Sequence, residues 1–199
     1  MSELYTKLIS NVIFPLQERL KDHNTVAVHR QMEQTQWWPR ERIEALQMQK
    51  LRQLISHAEQ FVPYYRNLFK KTGLTATDLH SLADLQRFPF LTKPDIRSNL
   101  EGFKSEKARH LSRFNTGGSS GEPLIFFIGN ERVSHDVAAK WRATRWWNVD
   151  IGDREIVVWG SPVELTAQDK VRQIRDRVMR THLLPAFEMS EAKLDEFVM

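Results

Sequence analysis

The sequence predicts an α/β protein in which a helical N-terminal segment leads into the beginning of a strand-containing domain. Over the first half of the chain, apolar residues recur at the three-to-four spacing of amphipathic helices. Further on, short runs rich in β-branched and aromatic residues alternate with helical patterns, which is typical of a sheet with crossover helices. We therefore divide the chain into a helical segment, 1–105, and a partial α/β subdomain, 106–199.

The helical segment begins with an apolar pattern that Pro15 is expected to end or kink. This pattern predicts one buried helix face, formed by Leu4, Leu8, Ile9, Val12 and Ile13. A long amphipathic helix is expected over 40–60, and Pro63 stops it because a residue before proline disfavours helix. A short helix over 64–71 follows, with Gly73 as its C-cap.

A further helix start is predicted at Thr92-Lys93-Pro94-Asp95. Thr92 is the expected N-cap, proline fits the first turn, and Asp95 can close a capping box. Beyond it, strands are expected at 111–114, 124–128, 155–159 and 182–187, with helices at 131–147 and 166–180.

The end of the chain resembles a helix cut off as it starts. Residues 191–199 mix polar and apolar side chains and finish on Phe-Val-Met, so we expect that the rest of the fold lies beyond Met199. A truncated fold should expose an apolar patch around Phe187 and Phe197. We expect a partner or an oligomer contact to cover that face.

Composition excludes several classes of protein. The 199 residues contain no Cys, which excludes a disulfide scaffold, a thiolate zinc site and a cysteine nucleophile. The net charge of +4 is spread over the chain, whereas nucleic-acid binders concentrate basic charge in a patch. No run approaches the roughly 20 apolar residues of a membrane span, and no signal peptide is present, so we expect a cytoplasmic protein. The scattered His residues predict no metal site.

One loop carries the pattern of a chemical site. Three glycines and three hydroxyl residues fill six successive positions between two predicted strands: Thr116, Gly117, Gly118, Ser119, Ser120 and Gly121. Glycine permits the positive φ angles that turn successive backbone N–H groups toward one point, and hydroxyls add donors. Such a loop suits phosphate, while an ordinary flexible turn has the same composition.

Two other kinds of site have loops of similar composition, the Walker-type phosphate loop and the nucleophile elbow of serine hydrolases. A Walker-type loop needs Gly-Lys-Ser/Thr opening a helix, but no Lys follows Gly121 and Pro123 leads into a strand. Gly117 to Gly121 also fits the G-x-S-x-G of a serine hydrolase, with Asp153 or Asp169 and then His182 completing the order Ser, Asp, His. That nucleophile elbow requires strand, turn and helix, whereas the sequence predicts strand, turn and strand.

The loop resembles the phosphate loop of adenylate-forming enzymes. Its Thr, Gly, Ser, Gly and Pro positions match that superfamily over 116–123, with Gly117 where many members have Ser. The surrounding segments resemble the N-terminal region of phenylacetate–coenzyme A ligase-like proteins, in the branch connected with capsular-polysaccharide biosynthesis. They are His57-Ala58-Glu59, Val62-Pro63-Tyr64-Tyr65-Arg66, Gly73-Leu74, Leu82-Ala83-Asp84-Leu85, Phe88-Pro89-Phe90-Leu91-Thr92-Lys93, Gly152-Asp153-Arg154 and Trp159-Gly160. The resemblance runs from about residue 40 to the end of the chain.

The resemblance implies a two-step reaction with ATP, Mg²⁺ and a small carboxylic acid. The carboxylate attacks the α-phosphate to give an acyl-adenylate and pyrophosphate, and a thiol, commonly that of coenzyme A, then takes the acyl group. Residues 116–121 would hold the β- and γ-phosphates, as electrostatic catalysis requires. The acyl pocket would be lined by Trp159, Gly160 and Ser161.

Parts of the family's site are missing from the sequence. The aromatic-Gly-x-Thr-Glu motif for adenine and magnesium, the ribose-binding Asp and the C-terminal catalytic Lys are not found. The sequence therefore predicts an N-terminal fragment of such a ligase, without full adenylation activity. A non-catalytic remnant that acts by binding a partner and, third, an α/β serine hydrolase stay open at this stage.

Overall fold

The computed structural model describes residues 2–116, 123–159 and 169–185, together with Ser190. Within these residues the elements of the first hundred positions are helices and helical turns, and all strands follow residue 111. The helices are α1 (Ser2–Leu8), α2 (Phe14–Leu20), α3 (Thr25–Thr35), α4 (Arg40–Phe61), α5 (Pro63–Thr72), α6 (Lys93–Ser98), α7 (Asn130–Arg145) and α8 (Asp169–Met179). A π turn occupies Ile9–Ile13, and 3₁₀ turns occupy Ala76–Asp78, Leu82–Arg87 and Leu100–Phe103. The strands are β1 (Ser112–Asn115), β2 (Ile125–Ile128), β3 (Glu155–Trp159) and β4 (Thr181–Pro185).

The strands form two small sheets of different kinds. β1 and β2 are antiparallel, with Ser112 opposite Ile128. β3 and β4 are parallel, with Glu155 opposite Thr181, and α8 supplies the crossover that a parallel pair needs. The α/β class predicted from the sequence is confirmed, because strands alternate with helices from β2 onward.

The chain forms two compact units, Met1–Asp22 with Ala139–Met199, and His23–Ala138. The first contains the β3–β4 sheet and the second contains the β1–β2 hairpin. The predicted division into 1–105 and 106–199 follows the change from helical to strand-bearing sequence and stays a prediction.

Pro15 does not end the first helix, so the first of the two predicted outcomes is wrong. The chain stays helical from Ser2 to Leu20, and the π turn comes directly before the proline. In that turn the N–H of Phe14 donates to the carbonyl of Ile9, one residue farther back than in an α-helix. The wider turn shifts the hydrogen-bond register at the point where proline would leave a gap in an α-helical ladder.

The predicted buried face of this helix is also wrong for three of its five residues. Leu4, Leu8 and Val12 are 76%, 48% and 55% exposed, whereas Ile9 is fully buried. The face of the helix that is buried is the one whose side chains contact residues distant in the sequence. Ile9 lies against Gly152, and the hydroxyl of Thr6 donates to Asp153 Oδ1 at 2.7 Å.

The local helix signals behaved as predicted in the second compact unit. Gly73 has a φ of +69°, and its N–H donates to the carbonyl of Phe69 at 2.8 Å, as a left-handed C-cap does. Three capping turns pair a hydroxyl residue with a carboxylate three residues later: Thr75 with Asp78, Ser81 with Asp84, and Thr92 with Asp95. The turn at Thr92 is the one that the sequence predicts.

These caps lower the pKa of their carboxyl groups. The backbone N–H of the cap residue is the main cause for Asp78 and Asp84, and the hydroxyl of Thr92 is the main cause for Asp95. A carboxyl whose pKa is lower in the folded state stabilises the fold above its unfolded pKa, about 3.9 for Asp. That contribution is lost as the pH falls through the folded pKa.

We therefore expect the urea midpoint of the wild type to fall more steeply between pH 5 and pH 3 than that of a triple variant, Asp78→Asn, Asp84→Asn and Asp95→Asn. Urea unfolding across that pH range measures the two slopes. Glu41→Gln, at an exposed position on α4, is the control and should keep the wild-type slope. Equal slopes for the wild type and the triple variant would show that the caps do not cause the acid sensitivity.

In the part of the chain that the structure describes, no helix is both long and apolar enough to cross a bilayer. The same residues contain no group of three or more side chains that could ligate a metal ion. The apolar patch predicted around Phe187 and Phe197 lies outside the described residues.

Candidate functional site

The predicted phosphate loop connects β1 to β2. Their antiparallel register continues past Asn115 and Ile125, because the N–H of Thr116 donates to the carbonyl of Leu124 at 3.0 Å. The N–H of Leu124 donates in return to Thr116 Oγ1, also at 3.0 Å. These two bonds close the mouth of the hairpin, so both ends of the loop are fixed next to each other.

The loop itself falls mostly outside the described residues. Thr116 is described, whereas Gly117, Gly118, Ser119, Ser120 and Gly121 are not. Their part in phosphate binding stays a prediction. Thr116 is exposed, and its hydroxyl accepts from the backbone while keeping its own proton to donate.

The two strands hold the hairpin by aromatic contacts. Phe114 of β1 stacks on Phe126 of β2, with ring centroids 6.3 Å apart. Lys104 Nζ lies 4.0 Å from the ring centroid of Phe127, a cation–π contact that ties the hairpin to the segment before it. All of β2 is half-buried, while β1 is exposed along its length.

The segment before the hairpin is fixed to the end of α4 and to α5. Arg66 donates to both carboxylate oxygens of Glu106, at 3.1 and 2.7 Å, and the N–H of Glu106 donates to the carbonyl of Phe61 at 2.7 Å. The hydrogen bonds from Arg66 lower the pKa of Glu106. Lys107 Nζ lies 3.9 Å from the ring centroid of Phe61. A bidentate ion pair and a cation–π contact therefore anchor the approach to the site.

The charge around the hairpin favours an anion. The residues from Lys104 to Thr116 include four Lys or Arg side chains and one carboxylate, Glu106, and Lys104 is also ion-paired with Glu101 at 2.7 Å. Among the basic residues, Arg109 and Arg113 are exposed next to β1 and on it. An excess of positive charge beside a loop raises the local concentration of anionic ligands.

The hairpin does not have the architecture of a serine-hydrolase elbow. That elbow requires a helix directly after the serine turn, whereas the chain enters β2 and reaches α7 only at Asn130. Asp153, a predicted triad member, accepts hydrogen bonds from the hydroxyl of Thr6 and the N–H of Asp150. Its carboxylate therefore has a structural use in the first compact unit.

Trp159, the first of the predicted acyl-pocket residues, ends β3. The backbone of Trp159 pairs with Pro185 of β4, and its side chain is not among those described. Gly160 and Ser161 lie outside the described residues. Their role as a pocket stays a prediction.

Sequence reasoning missed the contacts that position the hairpin. The sequence predicts Thr116 only as a phosphate donor, although a hydroxyl residue at a hairpin mouth also indicates closure by a side-chain hydrogen bond. Lys104 and the pair of Arg66 with Glu106 gave no sequence signal. Lys104 and its partner Phe127, like Arg66 and its partner Glu106, are far apart in the sequence and come into contact only in the fold.

No family model matches the sequence. A phenylacetate-coenzyme A ligase of Aromatoleum evansii is 36% identical over 85 residues, which are 42% of this chain and 19% of that protein. The corresponding ligase of Escherichia coli is 33% identical over 85 residues, 42% of this chain and 20% of the relative. Over this part of its length the chain is similar to phenylacetate-coenzyme A ligases. Protein CapK of Staphylococcus aureus is 27% identical over 93 residues, 47% of this chain and 20% of CapK.

Solved structures show the same fold. A 2-hydroxyisobutyryl-CoA ligase in the postadenylation state, in complex with R3-HIB-AMP, has a TM-score of 0.56 and 20% sequence identity. The likeness covers 80% of this chain and 35% of that structure. The same enzyme in complex with 2-HIB-AMP has a TM-score of 0.52 and 21% identity, over 74% of this chain and 32% of the other. The chain thus spans about a third of the solved enzymes that share its fold.

Proposed function

We propose that residues 116–121 bind the phosphates of ATP and pyrophosphate, and that the chain is the N-terminal part of an AMP-forming carboxylate–coenzyme A ligase-like protein. The observation that carries this proposal is the closed hairpin mouth. Thr116 and Leu124 hold together the two ends of a segment that contains three glycines and two serines. The positive charge of the approach segment and the kinship with phenylacetate-coenzyme A ligases support it.

The chemistry of the loop follows from its donors. Backbone N–H groups of Gly117 to Gly121, with the hydroxyls of Thr116, Ser119 and Ser120, would hold the β- and γ-phosphates of the nucleotide. In adenylation a substrate carboxylate oxygen bonds to the α-phosphorus, and the bond to the bridging oxygen breaks, so that pyrophosphate leaves with the electron pair. Donors already in position stabilise the charge that builds on this leaving group.

The remaining steps would need the adenine motif, the ribose-binding Asp and the catalytic Lys, which are not found in this sequence. Mg²⁺ would enter with the nucleotide, bound to its phosphates. We place the acyl group at Trp159, Gly160 and Ser161, and coenzyme A would be the acceptor thiol. The chain alone should bind nucleotide without completing thioester formation. ATP and coenzyme A are cytoplasmic metabolites, so we place the protein in the cytoplasm.

Calorimetric titration of the chain with magnesium ATP and with pyrophosphate tests the proposal. We expect saturable binding of both ligands, weakened at least about tenfold by Gly118→Ala with Ser119→Ala, which adds a Cβ to the loop and removes a hydroxyl donor. The matched control is Gly102→Ala with Ser98→Ala, because a Cβ at Gly102 meets no atom closer than 3.7 Å. Absence of binding up to millimolar ligand, or equal binding by both double variants, would reject the phosphate site.

A second candidate function is favoured by the β3–β4 sheet. Ile156 and Val158 are 66% and 58% exposed, although parallel sheets are normally covered on both faces. This exposure favours a non-catalytic module whose sheet packs against another polypeptide or another part of a longer chain. The same titration separates the two candidates, because only the ligase-like candidate requires phosphate binding.

A further inference from the structure

The N-terminal helix exposes a continuous apolar stripe. Its members are spaced four residues apart along α1, the π turn and α2, and they are Leu4, Leu8, Val12, Leu16 and Leu20. Their exposed fractions are 76%, 48%, 55%, 57% and 81%. The opposite face of the helix is buried, with Ile9 and Phe14 in the core of the first compact unit. Contiguous apolar surface of this kind marks an interaction site.

The π turn makes the stripe straight. In a regular α-helix, residues four apart drift by about 40° per step, so five of them would wind through about 160°. The extra residue of the turn over Ile9–Ile13 takes back about 100° of that drift. The five side chains therefore stay on one side of the helix, as a surface that packs along a second helix must.

We propose that this stripe packs antiparallel against the same stripe of a second copy of the chain. A two-fold axis at Val12 then places Leu4 opposite Leu20 of the other copy, and Leu8 opposite Leu16. Every apolar side chain of the stripe meets an apolar partner, as an isologous contact demands. The stripe is thus complementary to itself in this one register.

The charges on the helix agree with the antiparallel direction. Glu3 lies in the first turn of α1, where it is exposed and ion-paired with Lys7 at 2.7 Å, and Arg19 lies in the last turn of α2. An antiparallel pair brings Glu3 of each copy beside Arg19 of the other, whereas a parallel pair brings like charges together. A lipid surface is disfavoured, because interfacial helices have polar faces rich in Lys and Arg, while this helix mixes Glu3 with Lys7 and Arg19.

Sedimentation velocity over a concentration series tests the dimer. One helix pair buries less than the roughly 1,200 Å² of a stable interface, so we expect a reversible monomer–dimer equilibrium. Val12→Lys places two like charges at the axis and should weaken the dimer at least about a hundredfold. The matched control is Leu54→Lys, at a position on α4 that is 62% exposed, and it should keep the wild-type equilibrium.

A charge exchange tests the direction of packing. Glu3→Arg and Arg19→Glu alone should each weaken the dimer about fivefold, and the two together should restore it, because the ion pairs re-form with reversed sign. A monomer at every concentration would overturn the proposal, as would a dimer that Val12→Lys leaves intact. Binding of the wild type, but not of Val12→Lys, to vesicles of phosphatidylcholine with phosphatidylglycerol and no dimer in solution would assign the stripe to a membrane surface instead.

Discussion

Replacing Gly152 with alanine is expected to destabilise the fold by about 3 kcal/mol, from two effects that act together. Gly152 has a φ of +97°, which side-chain-bearing residues rarely adopt. A Cβ built there would lie 2.6 Å from Cβ and 2.9 Å from Cγ2 of Ile9. Since Ile9 is fully buried and its Cβ is bound to the helix backbone, the contact can be relieved only by moving the N-terminal helix.

The control for this variant is Gly73→Ala. Gly73 also has a positive φ, +69°, but a Cβ there meets no atom within 4 Å. Its loss should be limited to the backbone effect, about 1 kcal/mol. Urea unfolding followed by tryptophan fluorescence measures both losses. Equal destabilisation by the two variants would show that the contact with Ile9 does not constrain Gly152.

The parts of the fold that the sequence predicts are those set by neighbours along the chain. The Thr92 capping box and the Gly73 C-cap lie where they were expected, because each depends on a few adjacent residues. The hairpin also formed around the predicted loop. Its strands are short β-branched and aromatic runs on either side of a glycine-rich turn.

The parts that could not be predicted depend on distant partners. The first helix buries Ile9 with Thr6, instead of the Leu4 and Leu8 stripe, because Gly152 leaves room for the isoleucine and Asp153 accepts from the threonine. Hydrophobic spacing alone predicts that the leucines are buried. The bounds of helix α3 could not be predicted within the helical segment, since its sequence is mostly polar and its burial depends on a few residues.

In the candidate site, too, the local features could be predicted from the sequence and the contacts between distant residues could not. Its composition and its place between two strands were visible in the sequence, as were the donors that suit phosphate. The hydrogen bond from Leu124 to Thr116 and the contact of Lys104 with Phe127 were not. These contacts do not choose the ligand. They hold the two ends of the glycine-rich segment next to each other, and phosphate binding by that segment stays a proposal.

Truncating Trp141 on α7 is the second large effect that we expect, with a loss of about 3 to 5 kcal/mol for Trp141→Ala. Trp141 is 7% exposed and packs edge-on against Phe14, with ring centroids 5.2 Å apart. Its indole N–H donates to Asp150 Oδ1 at 2.6 Å. The substitution leaves a cavity beside Phe14 and removes the donor from a half-buried carboxylate, so both losses fall in the first compact unit.

Two further variants separate these losses. Trp141→Phe keeps most of the ring contact with Phe14 and removes the bond to Asp150, and we expect it to cost about 1 to 2 kcal/mol. Trp147→Ala is the control, because Trp147 is 80% exposed and its truncation should change stability by no more than about 0.5 kcal/mol. Chemical unfolding of the three variants measures the order. If Trp147→Ala destabilised the fold as much as Trp141→Ala, α7 would not pack against the N-terminal helix through Trp141. The N-terminal helix would then bury a different face, and the exposure of the leucine stripe would no longer follow.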